Sequence, residues 1–295
     1  MTIIQTNKKT KIIIFAIGVL LITSLILVFA LLLKSDNITA DELISANNFD
    51  KLLSKNNTIY IETVDQLGGR DYAYAEYNDG AANFCTSARN ASSSWQTYLY
   101  NNYKFVVFSD GTLFSVCNKA QPNLSACDIF SSTMLILKHS NAKQSTLEKK
   151  DNGYELSYEI TTNDNNKTDV IKYTFYFAKN YQCSSIEKLE KGTKTVTSFE
   201  YGVEKQYFDC LKNIDTKNTV EINITDVNSA DYNTQKYVIP ANTKFLIEHN
   251  KDATLYLDDG CTQVYDTEPF ELPHIKSKAP VNENQNLYLC DKEMP

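Results

Sequence analysis

From about residue 57 onward the sequence runs in short stretches of alternating aromatic and polar residues broken by hairpin signals. That period of two restricts the chain to antiparallel sheet. Tyr72 and Tyr74 share one strand face, as do Tyr98 and Tyr100, with Phe105 near the start of the next strand. Asn101-Asn102, Asp110-Gly111, Asn152-Gly153, Lys191-Gly192 and Asp259-Gly260 separate β-rich stretches. Asn-Gly and Asp-Gly supply the positive φ that a tight hairpin requires. The pattern predicts strands over 58–65, 71–78, 95–100, 103–109 and 112–117. A second set follows over 145–150, 153–161, 168–178, 182–189, 193–201 and 203–209. Between the sets, residues 124–138 lack Gly and Pro and carry Ile129, Phe130, Met134, Leu135 and Leu137. This predicts a helix whose apolar face plugs the concave side of a curved sheet.

Ahead of the strands, Thr39 and Glu42 form a capping-box pattern, and Leu43, Ala46, Phe49, Leu52 and Leu53 recur at near-helical spacing to about Ser54. One helix over 40–54 is expected. Near residue 215 the texture shifts to Asp, Asn and Thr, with shorter strands expected over 238–240 and 245–248. Two similar stretches, residues 254–257 and 286–289, are each followed closely by a cysteine, which predicts a small β module closed by Cys261 and Cys290.

Residues 12–33 form an uncharged, almost wholly apolar run that spans roughly 33 Å as a helix, the thickness of a bilayer core. Lys8, Lys9 and Lys11 precede it and only Lys34 follows, so the positive-inside rule predicts residues 1–11 in the cytoplasm and the rest outside. The run is longer than the core of a cleaved signal peptide and lacks a small-x-small site, so a retained anchor is expected over 12–33. A linker over 34–39 of about five extended residues reaches at most about 17 Å, which holds the domain near the headgroups. Two parts then follow: a β-rich domain over 40–214 and a disulfide-stapled β module over 215–295.

Composition agrees with a folded body. Apolar residues make up 42% and aromatic residues 12%, enough to fill a core. The net charge is -7, and all four basic residues before position 35 lie outside the body, which leaves that body with 25 basic and 36 acidic residues. Nucleic acid and anionic lipid surfaces are poor partners for it.

Seven cysteines fit the oxidising side of a membrane. Six can pair; local order favours Cys183 with Cys210 and Cys261 with Cys290, with the odd thiol among Cys85, Cys117 and Cys127. No C-x-x-C occurs and His139, His249 and His274 are scattered, so no metal or cofactor is expected. Six N-x-S/T sequons start at Asn37, Asn56, Asn90, Asn123, Asn166 and Asn223, close to the number that chance allows for 29 Asn.

No catalytic signature stands out. Ser-x-x-Lys occurs at Ser140 and Ser185 at about its chance frequency, without S-D-N or K-T-G partners. There is no G-x-S-x-G, P-loop or H-E-x-x-H. Asp164, Asn166, Thr168 and Asp169 resemble the start of a calcium loop, but Phe175 stands where its final Glu belongs. The carboxylate pairs Glu187/Glu190 and Asp258/Asp259 read as surface charge. A non-enzyme is expected.

The order of a capped helix over 40–54, the strand Tyr60-Ile61-Glu62-Thr63-Val64, then hairpin after hairpin with a mid-chain helix resembles the LolA/LppX-type superfamily of extracytoplasmic lipid-handling proteins over about residues 40–212. The resemblance implies an α+β fold, mainly antiparallel β: a curved sheet or half-barrel with covering helices that accepts acyl chains. Here it would be preceded by the single transmembrane helix and followed by the small module. Candidate cavity-lining residues are Tyr72, Tyr74, Tyr98, Phe105, Phe130, Leu135, Tyr173, Phe175 and Phe177. The chain departs from the family in lacking a lipidation cysteine and in carrying the Cys-bracketed tail, so a member fixed to the membrane extracts, senses or presents a ligand locally. The expectation is a single-pass cell-membrane protein with its C-terminal domain outside, binding a lipid or other apolar ligand. The alternative is a structural or adhesive surface protein that binds a protein or envelope partner.

Overall fold

The computed structural model describes residues 38–78, 81–89, 94–117, 127–164, 167–229, 232–248, 253–268 and 274–291. The apolar run over 12–33, its flanking lysines and most of the linker lie outside these residues. So do residues 124–126 of the expected central helix, His249, and the sequon asparagines 37, 90, 123 and 166. No helix among the described residues is long and apolar enough to cross a membrane.

The chain divides into two compact units, residues 1–43 and 44–295. In the first, the predicted capping box is present: Thr39 N donates to Glu42 Oε2 at 2.8 Å and Glu42 N donates to Thr39 Oγ1 at 3.2 Å. It opens helix α1 (Ala40–Ala46). In the second unit the single helix expected over 40–54 is interrupted, and α2 (Phe49–Asn56) starts afresh. Asn47 and Asn48 cause the break, since short amides compete with helical backbone bonds. Asn48 caps α2 by accepting from Lys51 N at 3.0 Å. Asn47, 2% exposed, donates to the Tyr181 carbonyl at 2.8 Å and accepts from Cys183 N at 2.7 Å, so both polar atoms of its buried side chain are hydrogen-bonded.

The strands follow in order: β1 (Thr58–Val64), β2 (Arg70–Asn78), β3 (Ala81–Arg89), β4 (Ser94–Tyr100), β5 (Tyr103–Phe108) and β6 (Leu113–Cys117). After helix α3 (Ile129–His139) come β7 (Lys143–Lys150), β8 (Gly153–Asp164), β9 (Lys167–Ala178), β10 (Cys183–Glu190) and β11 (Thr193–Tyr201). The tail adds β12 (Thr219–Asp226), β13 (Asn233–Pro240), β14 (Lys244–Glu248), β15 (Ala253–Tyr256), β16 (Thr267–Glu268), β17 (His274–Ser277) and β18 (Gln285–Asp291).

The fold is mostly β, built on one large and mainly antiparallel sheet. Its order is β16-β17-β14-β6-β5-β4-β3-β2-β1-β11-β10-β9-β8-β7, and the two ends do not meet. The two hairpin series join where β1 pairs with β11. Asn101 and Asn102, both at positive φ, form the two-residue turn between Tyr100 and Tyr103, as do Lys191 and Gly192 between Glu190 and Thr193. The turn expected at Asn152-Gly153 sits one residue earlier, because Gly153 already pairs with Lys150.

Within the hairpin series two strand expectations are corrected, and in the tail β12, β16 and β17 form where no strand was expected. Residues 81–89 form β3, hidden in the sequence by small side chains, Ala81, Ala82, Ser87 and Ala88, that carry no alternation of large and polar residues. Residues 203–209 form no strand. Gly202 at φ 72° turns the chain away after β11, and residues 202–214 cross the sheet as a strap with one 3-10 turn, Asp209–Leu211.

The register sorts the side chains onto two faces. Tyr60, Tyr74, Cys85, Tyr98, Phe105 and Ser115 lie directly opposite one another across β1 to β6. The other face carries Ile59, Ile61, Ala73, Ala75, Phe84 and Leu99, packed under Phe49, Leu52 and Leu53 of α2. Leu156, Phe175 and Ile186 continue that helix-side face through β8 to β10. There Phe130 of α3 meets Phe175 and Phe177 edge-on, with centroids 5.6 and 6.2 Å away.

The tail does two things. β14 adds parallel to β6 and extends the large sheet, while β13-β12-β18-β15 form a second, four-stranded sheet. The two similar stretches noted in the sequence pair with each other, Leu255 opposite Leu289 and Tyr256 opposite Tyr288. Cys261 and Cys290 are disulfide-bonded, with Cα atoms 6.6 Å apart.

Among the described glycines, Gly153 leaves the least room for a side chain. Its φ is 152°, and a Cβ there would lie 1.8 Å from the Phe177 carbonyl oxygen. Gly153→Ala is expected to cost about 3 kcal/mol, measured as a lowered urea midpoint, because the backbone of β9 must move away.

Candidate functional site

The strap over 202–214 builds one wall of a sizeable concavity. It follows from two adjacent aromatics, Tyr207 and Phe208, which turn into the tyrosine face together rather than alternating as on a strand. Phe208 is buried against Tyr74, Tyr98 and Tyr100 at centroid distances of 5.9, 6.0 and 5.8 Å. Tyr207 stacks on Tyr72 at 4.7 Å, and Leu211 is buried in the same cluster. Polar contacts fix the strap's start: Gly202 N donates to the Thr58 carbonyl at 3.0 Å, Lys205 N donates to the Tyr74 hydroxyl at 3.2 Å, and Lys205 Nζ lies 4.4 Å over the Tyr60 ring.

Between the strap and the ends of β1, β2 and β4 lies a cleft of about 720 Å³. Tyr74, Tyr77, Tyr100 and Phe208 give it ring surface, and Tyr77 is 43% exposed. Asn57 and Gln206 contribute amides, and Glu76, Glu204, Lys205, Asp209 and Lys212 contribute charge. The charges are not balanced across it. Lys212 pairs with Asp209 at 2.6 Å and Lys205 with Glu200 at 3.4 Å. Glu76 and Glu204 have no ion-pair partner among the described residues.

Glu76 is half-buried and accepts from Asn83 Nδ2 at 3.3 Å, while Asn83 Oδ1 in turn accepts from Asn101 N at 3.1 Å. Burial pushes the Glu76 carboxyl above the usual range, only partly offset by the Asn83 hydrogen bond and by Lys212. A raised folded-state pKa means that the fold holds the proton more tightly than the unfolded chain, so this group favours folding as pH falls from neutral toward about 4. Glu76→Gln is therefore expected to raise the thermal midpoint at pH 7 relative to wild type, with the difference fading at pH 4. Burial also pushes the Tyr74, Tyr98 and Tyr207 hydroxyls up, so all three are neutral donors at physiological pH.

The nine residues expected to line one apolar cavity fall into separate places. Tyr72, Tyr74, Tyr98 and Phe105 lie on the strap side. Phe130, Phe175 and Phe177 pack on the helix side, Tyr173 shares that strand face, and the sheet lies between the two sets. Leu135 is 56% exposed on α3, away from both sets. A pocket on the helix side, bordered by Phe49, Leu52, Ile59, Phe130 and Phe199, holds about 10 Å³.

The expected Cys183 to Cys210 bridge is absent. Cys183 lies opposite Phe177 on the helix side, buried, whereas Cys210 is exposed on the strap across the sheet. Five cysteines are thiols: Cys85, Cys117, Cys127 and Cys183 buried, Cys210 exposed. Burial pushes Cys117 and Cys127 up to about 12, so neither is a nucleophile. The carboxylate pairs serve local structure: Glu187 and Glu190 pair with Lys194 and Lys188, and Asp258 accepts from Thr262 N and Gln263 N. Among the described residues no group of three or more His, Cys, Asp or Glu converges as metal ligands.

Sequence reasoning missed Glu76, Tyr77, Glu204 and the strap itself. The adjacent Tyr207-Phe208 pair after Gly202 was the available signal, since two neighbouring rings cannot both face the same side of a strand. No family model matches the chain, and no curated protein matches it in a sequence comparison.

Proposed function

We propose that the protein is a non-catalytic, membrane-anchored binding protein of the extracytoplasmic face, and that its strap-built cleft takes a cationic segment of a partner polypeptide. One observation carries the reading: two carboxylates without an ion-pair partner among the described residues, Glu76 and Glu204, share a cleft with the rings of Tyr74, Tyr77 and Tyr100. Ring faces and carboxylates together favour an ammonium or guanidinium group whose alkyl stem lies on the rings. The acidic excess of the body, 36 acidic against 25 basic residues after position 34, adds long-range attraction for the same ligand class. The surface-partner reading is favoured over an acyl-chain ligand because the residues expected to line one apolar cavity lie on opposite faces of the sheet, Tyr74 and Tyr98 on the strap side and Phe175 and Phe177 on the helix side.

The test is titration of a hexalysine peptide into the full chain in mild detergent, followed by tyrosine fluorescence. Binding is expected to weaken as salt rises, and to drop about tenfold or more in the Glu76→Gln/Glu204→Gln double variant, in line with losing charge-assisted contacts of about 1.5–3 kcal/mol. It is also expected to fade with falling pH at a midpoint above the ordinary glutamate value of about 4.3, because Glu76 protonates early. Equal binding by wild type and the double variant overturns the reading. Native mass spectrometry with a lipid retained through purification reinstates the acyl-chain ligand.

A further inference from the structure

Rings and carboxylates alone do not decide which cation the cleft takes, since a quaternary ammonium suits them as well as a primary one. The inner end of the cleft carries a further group that does decide. Thr58, the first residue of β1, lies directly opposite Glu76 of β2, so the two side chains stand next to each other on the strap face of the sheet. Both residues line the cleft. Thr58 is 7% exposed, and its hydroxyl neither donates nor accepts a hydrogen bond among the described residues. A buried hydroxyl in that state costs folding free energy, and native proteins keep few of them.

Glu76 is short of donors in the same way. Asn83 Nδ2 reaches Oε1, and the Asn83 amide is held in that orientation because its Oδ1 accepts from Asn101 N. Oε2 accepts no hydrogen bond among the described residues. Asn57, which ends α2 at φ 64°, also lines the cleft, so the negative end of that helix adds to the attraction for a cation. A hydroxyl oxygen and a carboxylate oxygen, neighbouring and both unused, make an acceptor pair for one group that carries at least two N–H bonds.

We propose that Thr58 and Glu76 form the inner subsite of the cleft and select a cation that carries N–H, a primary ammonium or a guanidinium, against a quaternary ammonium. The inference rests on the proposed binding of a cationic segment and narrows its chemistry. An entering group meets Glu76 first, because Thr58 is the more buried of the two, and then donates to Glu76 Oε2 and Thr58 Oγ1 together. A trimethylammonium offers neither bond and seals both acceptors away from water. Burial already makes the Glu76 carboxyl hold its proton more tightly than usual, so the missing donor matters more here than at an open surface.

The experiment titrates two peptides of equal charge, hexalysine and hexa(trimethyllysine), into the full chain in mild detergent and follows tyrosine fluorescence. Wild type is expected to bind hexalysine about tenfold more tightly, and Thr58→Val to lose most of that preference through weaker hexalysine binding alone. Thr58→Ser, which keeps a hydroxyl, is expected to retain the preference. Val has the branched shape of Thr and suits a strand, so Thr58→Val is also expected to raise the thermal midpoint of the free protein, the mark of a hydroxyl that the fold itself does not use. Equal affinity for the two peptides in wild type, tighter binding of the trimethylated one, or a preference that Thr58→Val leaves unchanged overturns the inference; the proposed function survives any of these as long as hexalysine still loses affinity in the Glu76→Gln/Glu204→Gln double variant. Hexalysine binding that the double variant does not weaken overturns both.

Discussion

Phe208→Ala is expected to lower unfolding free energy by about 3–5 kcal/mol and to abolish hexalysine binding together with it. Phe208 is 4% exposed and is the only strap side chain that touches Tyr74, Tyr98 and Tyr100 at once among the described ring contacts. Its removal leaves the strap with Tyr207 and Leu211 as apolar anchors and leaves the cleft without its floor. Phe175→Ala separates the two effects. Phe175 is wholly buried on the helix side, against Phe130, Tyr158 and Phe177, and its loss should cost a similar amount of stability while hexalysine binding persists in the folded fraction. Urea unfolding with a binding titration at each concentration measures both quantities in one series.

Cys261→Ser should be nearly as costly, about 3–4 kcal/mol, on the chain-entropy reading of a bridge across 29 residues of sequence. The loss should be local. β15 is an edge strand of four residues held only by β18 within its sheet, and the bridge ties the loop after β15 to Cys290 on β18. Amide exchange is expected to accelerate in β15 and β18, while β1, β2 and β11 keep wild-type protection. Uniform acceleration across both sheets would mean that the second sheet does not open as a unit.

Much of this architecture is legible in the sequence, because its signals are local. Asn101-Asn102 and Lys191-Gly192 mark tight turns that admit only certain residues, and Thr39 with Glu42 spells a capping box. The Cys261 to Cys290 pairing was legible for the same reason, since two similar strands each lead into a cysteine. What was not legible depends on contacts distant in sequence. β3 carries Ala81, Ala82 and Ala88, and is a strand because β2 and β4 pair with it on both sides. The break at Asn47 rests on hydrogen bonds to Tyr181 and Cys183, more than 130 positions away. The same holds for the cleft. Period-two reasoning finds which residues share a face, as it did for Tyr72 and Tyr74, but not which face the strap covers. It therefore joined Phe175 with Tyr74 in one cavity although the sheet separates them.

The claim that the strap-built cleft is the binding site is tested most directly by hydrogen exchange of the full chain with and without saturating hexalysine. The expected result is slowed exchange confined to the ends of β1 and β2 near Asn57 and Glu76, to the end of β4 near Tyr100, and to strap residues 204–212. Protection on α2 and α3, or in the second sheet, or no change at a concentration where tyrosine fluorescence reports binding, would contradict it.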